Sequence, residues 1–280
     1  MQNIDHIAVL GQWAEWGRAC SSSRQSRPDW SAVDSLIEAA KPRLMEDSRA
    51  LRELLQRSSD RLKFTDPLLC DLGLHRWLAR DREEAYSDWL AWVLEQLRDA
   101  AAVLRVLGVQ SPQLQSLGSE GYRVEREVYL KEGAPGYEGR IDLLIRFGKP
   151  ERCLLGVEVK TWDESYEKQR AYLASLRARC PDAVGVLVAI PEVPEVSRCE
   201  FQLRRWRDVA LALRREVAIS VRSHGPDIIP AMMCGFVAAI EQNLLELGNT
   251  AARRASKLQP IWLSPQLKSY LLEALKEENE

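Results

Sequence analysis

Residues 153–162 read CLLGVEVKTW, an apolar run that carries a glutamate and a lysine two positions apart. Side chains alternate across a strand, so Cys153, Leu155, Val157 and Val159 share one face, and Leu154, Gly156, Glu158 and Lys160 share the other. Both charges therefore fall on a single face of a segment apolar enough to be buried. Such a pair is either an ordinary cross-face ion pair on a half-exposed strand or the visible part of a charged site. The sequence around it bears on that choice.

The preceding run, GRIDLLIRF (139–147), places Ile141, Leu143, Ile145 and Phe147 on one expected apolar face and points Asp142 the opposite way at the start of the strand. If the two runs pair as a hairpin, Asp142 lies beside Glu158. Two carboxylates held together repel, and a divalent cation relieves that repulsion; ligation by oxygen alone suits Mg²⁺ or Mn²⁺. Lys160, on the same face, is then in reach of a phosphate oxygen.

Outward from this pair the chain changes period. YRVEREVYL (122–130), RIDLLIRF and CLLGVEVK are short aliphatic or β-branched runs joined by the turn-rich KEGAPGYEG and GKPER, which predicts an antiparallel meander. DESYEKQRAYLASLRARC (163–180) then reads as a helix closed by Pro181, and AVGVLVAIP (183–191) as a buried strand. Before the meander, DREEAYSDWLAWVLEQLRDAAAVLRVLG (81–108) reads as one long amphipathic helix stopped by Gly108. SAVDSLIEAAKPRLMEDSRALRELLQR (31–57) reads as an earlier helix with Ser31 placed to cap it. From Val196 the chain returns to helix through FQLRRWRDVALALRREVAI and PAMMCGFVAAIEQNLLELG. The expected layout is an α/β core over residues 81–195, with helical regions 1–80 before it and 196–280 packed against it.

Composition bounds the function classes. With 280 residues, 46% hydrophobic and 29% charged, the chain is long enough to bury a core without a disulfide or structural metal. The six cysteines, Cys20, Cys70, Cys153, Cys180, Cys199 and Cys234, form no CxxC pair and predict buried free thiols rather than a zinc site. The N-terminus lacks a basic leader with an apolar run, and no segment reaches about 18 uninterrupted apolar residues, so a cytoplasmic protein without membrane contact is expected. A formal net charge of -2 means that any polyanion must be met by local patches. There is no GxSxG elbow, Walker loop or HExxH, and His6, His75 and His224 lie far apart in sequence.

Asp142, a turn, and Glu158-Val159-Lys160 within an α-β-β-β-α-β order resemble the PD-(D/E)xK nuclease superfamily over roughly residues 81–191. EEAYSDWLAWVL (83–94) is similar to the first helix of a bacterial subgroup, which implies Glu84 as a further acidic site residue. VEREVYLKEGAPGYEGRID (124–142) is similar to that subgroup's strand and Gly-Arg-Ile-Asp turn, which points to Glu127, with Glu125 second to it. YEKQRAYL (166–173) looks like the Gln-Tyr helix of RecB-like members and implies Gln169 and Tyr172, although here the tyrosine follows by three positions instead of four. Both spacings keep the pair on one helical face. The resemblance implies a restriction-endonuclease-like core with a mixed central sheet and Mg²⁺-dependent (or Mn²⁺-dependent) phosphodiester hydrolysis. Asp142, Glu158, the Val159 carbonyl and Glu84 are then the metal ligands, and Lys160 orients the attacking water or neutralises the transition state.

Each site residue also has a purely structural reading. Asp81 and Glu84 fit a capping box, Gln169 and Tyr172 fit a surface amide and a core aromatic, and Glu127 fits a solvated strand position. For the nucleic acid, expected to be DNA, Arg140 and Arg146 flank Asp142. SRCEFQLRRWRDVALALRR (197–215) offers Arg204, Arg205 and Arg207, with Arg198, Arg214 and Arg215, as a phosphate-gripping helix face. A free cytoplasmic nuclease endangers its host, so an activating partner or trigger is expected, and cutting both strands of a duplex favours a homodimer. Defence against phage or mobile elements follows by analogy alone. The rival expectation is a nuclease fold kept as a non-catalytic module that binds nucleic acid or a protein.

Overall fold

A computed structural model describes residues 31–69, 78–79, 82–130, 139–161, 168–190, 200–247 and 264–276. A five-stranded mixed sheet in the order β1-β2-β3-β4-β5 organises the chain, with helices on both faces. β1 (Tyr122–Leu130), β2 (Gly139–Phe147) and β3 (Cys153–Val159) form the antiparallel meander that the short turn-rich links dictate. After β3, α5 (Gln169–Arg179) crosses over to β4 (Val184–Ala189), which lies parallel to β3.

One of the expected helices is broken and another starts late. The run over 81–108 divides into α2 (Glu83–Glu95) and α3 (Ala100–Leu107), because the Asp99 side chain accepts the Ala102 N–H and caps a new helix. Gly108 ends α3 in the left-handed conformation, as its sequence position suggests. The helix expected to start near Phe201 begins later. Residues Gln202–Arg205 form β5, parallel to β4, and α6 (Trp206–His224) follows without a loop. The sheet therefore runs into the C-terminal third of the chain.

The layers follow from strand alternation. On one face Leu143, Ile145, Phe147, Leu155, Val157, Val159, Val186 and Val188 pack with α2, α3, α6 and α7 (Ile228–Ala239) in the main core. Tyr86, Trp206 and Phe236 meet there as edge-on and tilted rings. On the other face Leu144, Leu154, Leu187 and Phe201 pack against Tyr172, Leu173 and Leu176 of α5. Gly156 allows that close approach, since a Cβ there would come within 2.5 Å of Leu176 and 2.6 Å of Ile141. The flanking helices α1 (Ser31–Leu62), α4 (Pro112–Ser116) and α8 (Pro265–Ala274) complete the α-helices among the described residues, with α1 and α8 sharing a smaller apolar cluster of Leu51, Leu54, Leu55, Leu267 and Leu271.

Cys153 and Cys234 are buried and Cys180 half-buried, all three as free thiols; Cys20, Cys70 and Cys199 lie outside the described residues. No helix among the described residues is long and apolar enough to cross a membrane.

Candidate active site

The sheet loses its regular alternation at Asp142. Ile141 was expected on the same face as Leu143, yet it packs with the α5 layer while Leu143 packs with the opposite one. β1 makes the same switch, with Val124 in the main core and Val128 and Leu130 in the α5 layer. Between them lies Glu127 with φ 51°, left-handed backbone in mid-strand, and the β1–β2 register skips its pairing with Asp142. A local break of this kind re-aims the side chains beside it.

The β2–β3 ladder also opens here. Its last pair is Leu143 with Val157, and one step further the register sets Asp142 opposite Glu158. There the Asp142 carboxylate accepts the Val159 N–H at 2.7 Å, a donor that a regular ladder would offer to the β2 backbone. Asp142 thus splits the strands at their end and replaces a main-chain bond with a charged side chain.

Glu158, only 6% exposed, and Lys160, 8% exposed, lie within this opening. The Lys160 ammonium donates to Glu83 Oε1 at 2.9 Å and stands 3.4 Å from Glu158 Oε1. The second Glu83 oxygen accepts the Thr161 N–H at 3.1 Å. Lys160 N–H bonds the Val188 carbonyl, and the Lys160 carbonyl accepts Trp206 Nε1 at 3.0 Å. The end of β3 is therefore fixed from β4, α2 and α6 at once.

The electrostatics reflect burial of like charges. Burial first, then the neighbouring Asp142 charge, pushes the Glu158 carboxyl up to about 8, against the pull of Lys160. Burial also raises Asp142 to about 6, although the Val159 N–H and Lys160 favour its charged form; Glu83 and Glu127 push further upward. Burial opposes the charge on Lys160, but Glu83 and then Glu158 hold its pKa above the ordinary value.

The other expected site residues are placed as follows. Glu84 is exposed, and the acid of α2 that joins the cluster is its neighbour Glu83. The cap of α2 is Arg82, whose side chain makes no capping bond, so Glu84 is the second helical residue; Asp81 lies outside the described residues. Tyr172 is buried and its hydroxyl donates to the Arg140 carbonyl at 2.9 Å, tying α5 to β2 two residues before Asp142. Gln169 is buried at the first position of α5. Glu127 pairs with Arg140 at 2.9 Å beside the opening.

The expected arginine face does not form as one surface. Arg204 is on β5, where its guanidinium donates to the carbonyls of Val106, Arg105 and Asp208 and closes the end of α3. Arg205 is exposed at the end of β5, while Arg207 on α6 is paired with Glu273 at 2.7 Å. Arg214 is buried between Asp66 and Glu241 and cannot meet a polyanion. Arg146 is engaged by Glu125 and Glu151, and Arg198 lies outside the described residues.

Sequence reasoning missed Glu83, Thr161 and Trp206. The signal for Glu83 was the adjacent acidic pair at 83–84, and choosing between its members needed the helix start to within one residue.

Among the described residues no three His, Cys, Asp or Glu side chains gather in a way that holds a metal by themselves. Two carboxylates do face one opening, and Glu158 Oε2 is buried there with no hydrogen-bond partner. A buried carboxylate oxygen left without a donor calls for an explanation. A hard cation fits that donor pair, its shell completed by a backbone carbonyl, water or a substrate oxygen. Comparison with known proteins gives no match, whether to a family model, a curated protein or a solved structure.

Proposed function

We propose that this chain is a metal-dependent nuclease of the PD-(D/E)xK type, with a restriction-endonuclease-like core, that hydrolyses phosphodiester bonds in DNA. One observation carries the reading. Asp142 and Glu158 meet where the β2–β3 ladder opens, with Lys160 beside them and Glu158 Oε2 unpartnered. Buried carboxylates with raised pKa values beside a lysine are expensive for a fold to keep and are characteristic of reactive sites.

Asp142, Glu158 and the Val159 carbonyl would hold Mg²⁺ or Mn²⁺. A divalent ion at that position supplies Lewis-acid stabilisation of charge on the phosphate and lowers the pKa of water. Lys160, kept protonated by its acidic neighbours, offers a fixed positive charge to a phosphate oxygen as negative charge develops. Trp206 and the Val188 carbonyl hold the Lys160 backbone, so the ammonium projects from a fixed point. Tyr172 fixes Arg140, and through it the start of β2, so α5 positions Asp142 from behind.

A second reading has its own observation. Lys160 is already engaged by Glu83 and Glu158 without any ligand, which is how a retired site kept as a binding module would look. Thermal melting in EDTA, Mg²⁺ and Mn²⁺ separates the two. Metal-dependent stabilisation of the wild type, lost in Asp142→Asn, supports the nuclease site; its absence with both metals favours the binding module. Parallel incubation with DNA and RNA strands then identifies the substrate.

A further inference from the structure

The Glu83 carboxylate is seated on a set of donors that share one feature: they all suit an anion. One oxygen takes the Lys160 ammonium and the other the Thr161 N–H. Beside them Thr161 is 2% exposed, and its hydroxyl has no hydrogen-bond partner. A buried hydroxyl without a partner is rare, and it is the kind of group that a ligand satisfies. The backbone that carries these donors is fixed by bonds to β4 and α6, so the donors stay in place if the carboxylate leaves.

We infer that the Lys160 ammonium, the Thr161 N–H and the Thr161 hydroxyl form a subsite for a phosphate oxygen of the substrate, and that Glu83 occupies it in the ligand-free protein as an internal stand-in. This rests on the nuclease reading and gives its site a built-in competitor. A carboxylate and a phosphodiester both present paired anionic oxygens at similar spacing, and the two cannot use the same donors together. Binding of the nucleic acid therefore expels Glu83, which lies in the first turn of α2 and has open helix N–H groups to turn toward. The Thr161 hydroxyl, unused by Glu83, donates to the phosphate and favours the exchange.

The test is fluorescence anisotropy of a labelled DNA oligonucleotide in EDTA, where binding is read without cleavage. The variants are Glu83→Ala, Glu83→Gln, Thr161→Val and Thr161→Ser, each checked by circular dichroism and melting. Removal of the competing charge in Glu83→Ala and in Glu83→Gln is expected to tighten binding by roughly fivefold or more. Thr161→Val is expected to weaken it by roughly tenfold, with Thr161→Ser close to wild type. Thr161→Val is also expected to melt no lower than wild type, because it removes an unsatisfied buried hydroxyl. Weaker or unchanged binding in both Glu83 variants, or unchanged binding in Thr161→Val, overturns the subsite. If the wild type cleaves plasmid while the subsite fails, the nuclease reading survives alone; if no variant binds or cleaves nucleic acid, both fall.

Discussion

The Asp142 carboxylate accepts the Val159 N–H at 2.7 Å and so occupies the place of a rung in the β2–β3 ladder. A charged side chain substituted for a main-chain acceptor, next to a second buried carboxylate, keeps a strand end open at the price of stability. The consequences divide into those for stability, those for the helical surroundings and those for chemistry.

The first concerns pH. Glu158 and Asp142 bind protons more tightly folded than unfolded, since burial raises both pKa values. The folded state therefore carries more protons between roughly pH 4 and pH 8, and stability falls as pH rises through that window. Metal-free melting temperature should decline from pH 5 to pH 8, and Glu158→Gln should remove most of the decline. Melting curves in EDTA across that range provide the check.

Lys160→Met should destabilise the metal-free protein by roughly 3 kcal/mol at pH 8, because Glu83 and Glu158 lose the cation between them. At pH 5 the loss should be smaller, since Glu158, raised to about 8, is already protonated there and presents no charge for Lys160 to balance. Urea unfolding at the two pH values measures the difference.

Arg214 donates to both Asp66 and Glu241 in a fully buried network that also binds Ser58 and includes Tyr270. Arg214→Ala should cost about 3–5 kcal/mol by stranding two acids. DNA affinity of the protein that remains folded should be unchanged, with the same salt dependence. Denaturant titration and anisotropy at several salt concentrations test both halves.

Arg204→Ala should lower stability by about 1–2 kcal/mol through loss of two carbonyl bonds at the end of α3 and a third to Asp208 in α6. A phosphate-contacting arginine would instead reduce the slope of log affinity against log salt by about 1. Anisotropy across a salt series should show no such change.

Much of this architecture was readable from residue order, for definite physical reasons. The meander was legible because three short apolar runs are separated by links too short for anything except antiparallel return. Asp142, Glu158 and Lys160 were legible because the two-residue period isolates charges on an apolar strand. β5 was not: Gln202–Arg205 has one apolar residue and no strand-forming pattern, and its pairing with β4 is decided by the sheet. The break at Asp99 was hidden because apolar spacing continues across it from α2 to α3. The reversal of faces at Glu127 was hidden for a different reason, since a left-handed backbone is signalled by glycine or asparagine and not by glutamate. Arginine counts gave no warning that Arg214 is buried or that Arg204 caps a helix.

The most direct measurement is nicking of supercoiled plasmid by purified wild-type, Asp142→Asn and Lys160→Met protein in Mg²⁺, Mn²⁺ and EDTA. Asp142→Asn keeps the size of the side chain and an oxygen for the Val159 N–H, so its loss of activity would report the charge. The expected result is nicking or linearisation by the wild type with metal only, reduced roughly 100-fold or more in both folded variants. Wild-type protein that neither cuts nor gains stability with either metal, or folded Asp142→Asn that cuts as well as wild type, would contradict a metal-dependent site built on Asp142 and Glu158.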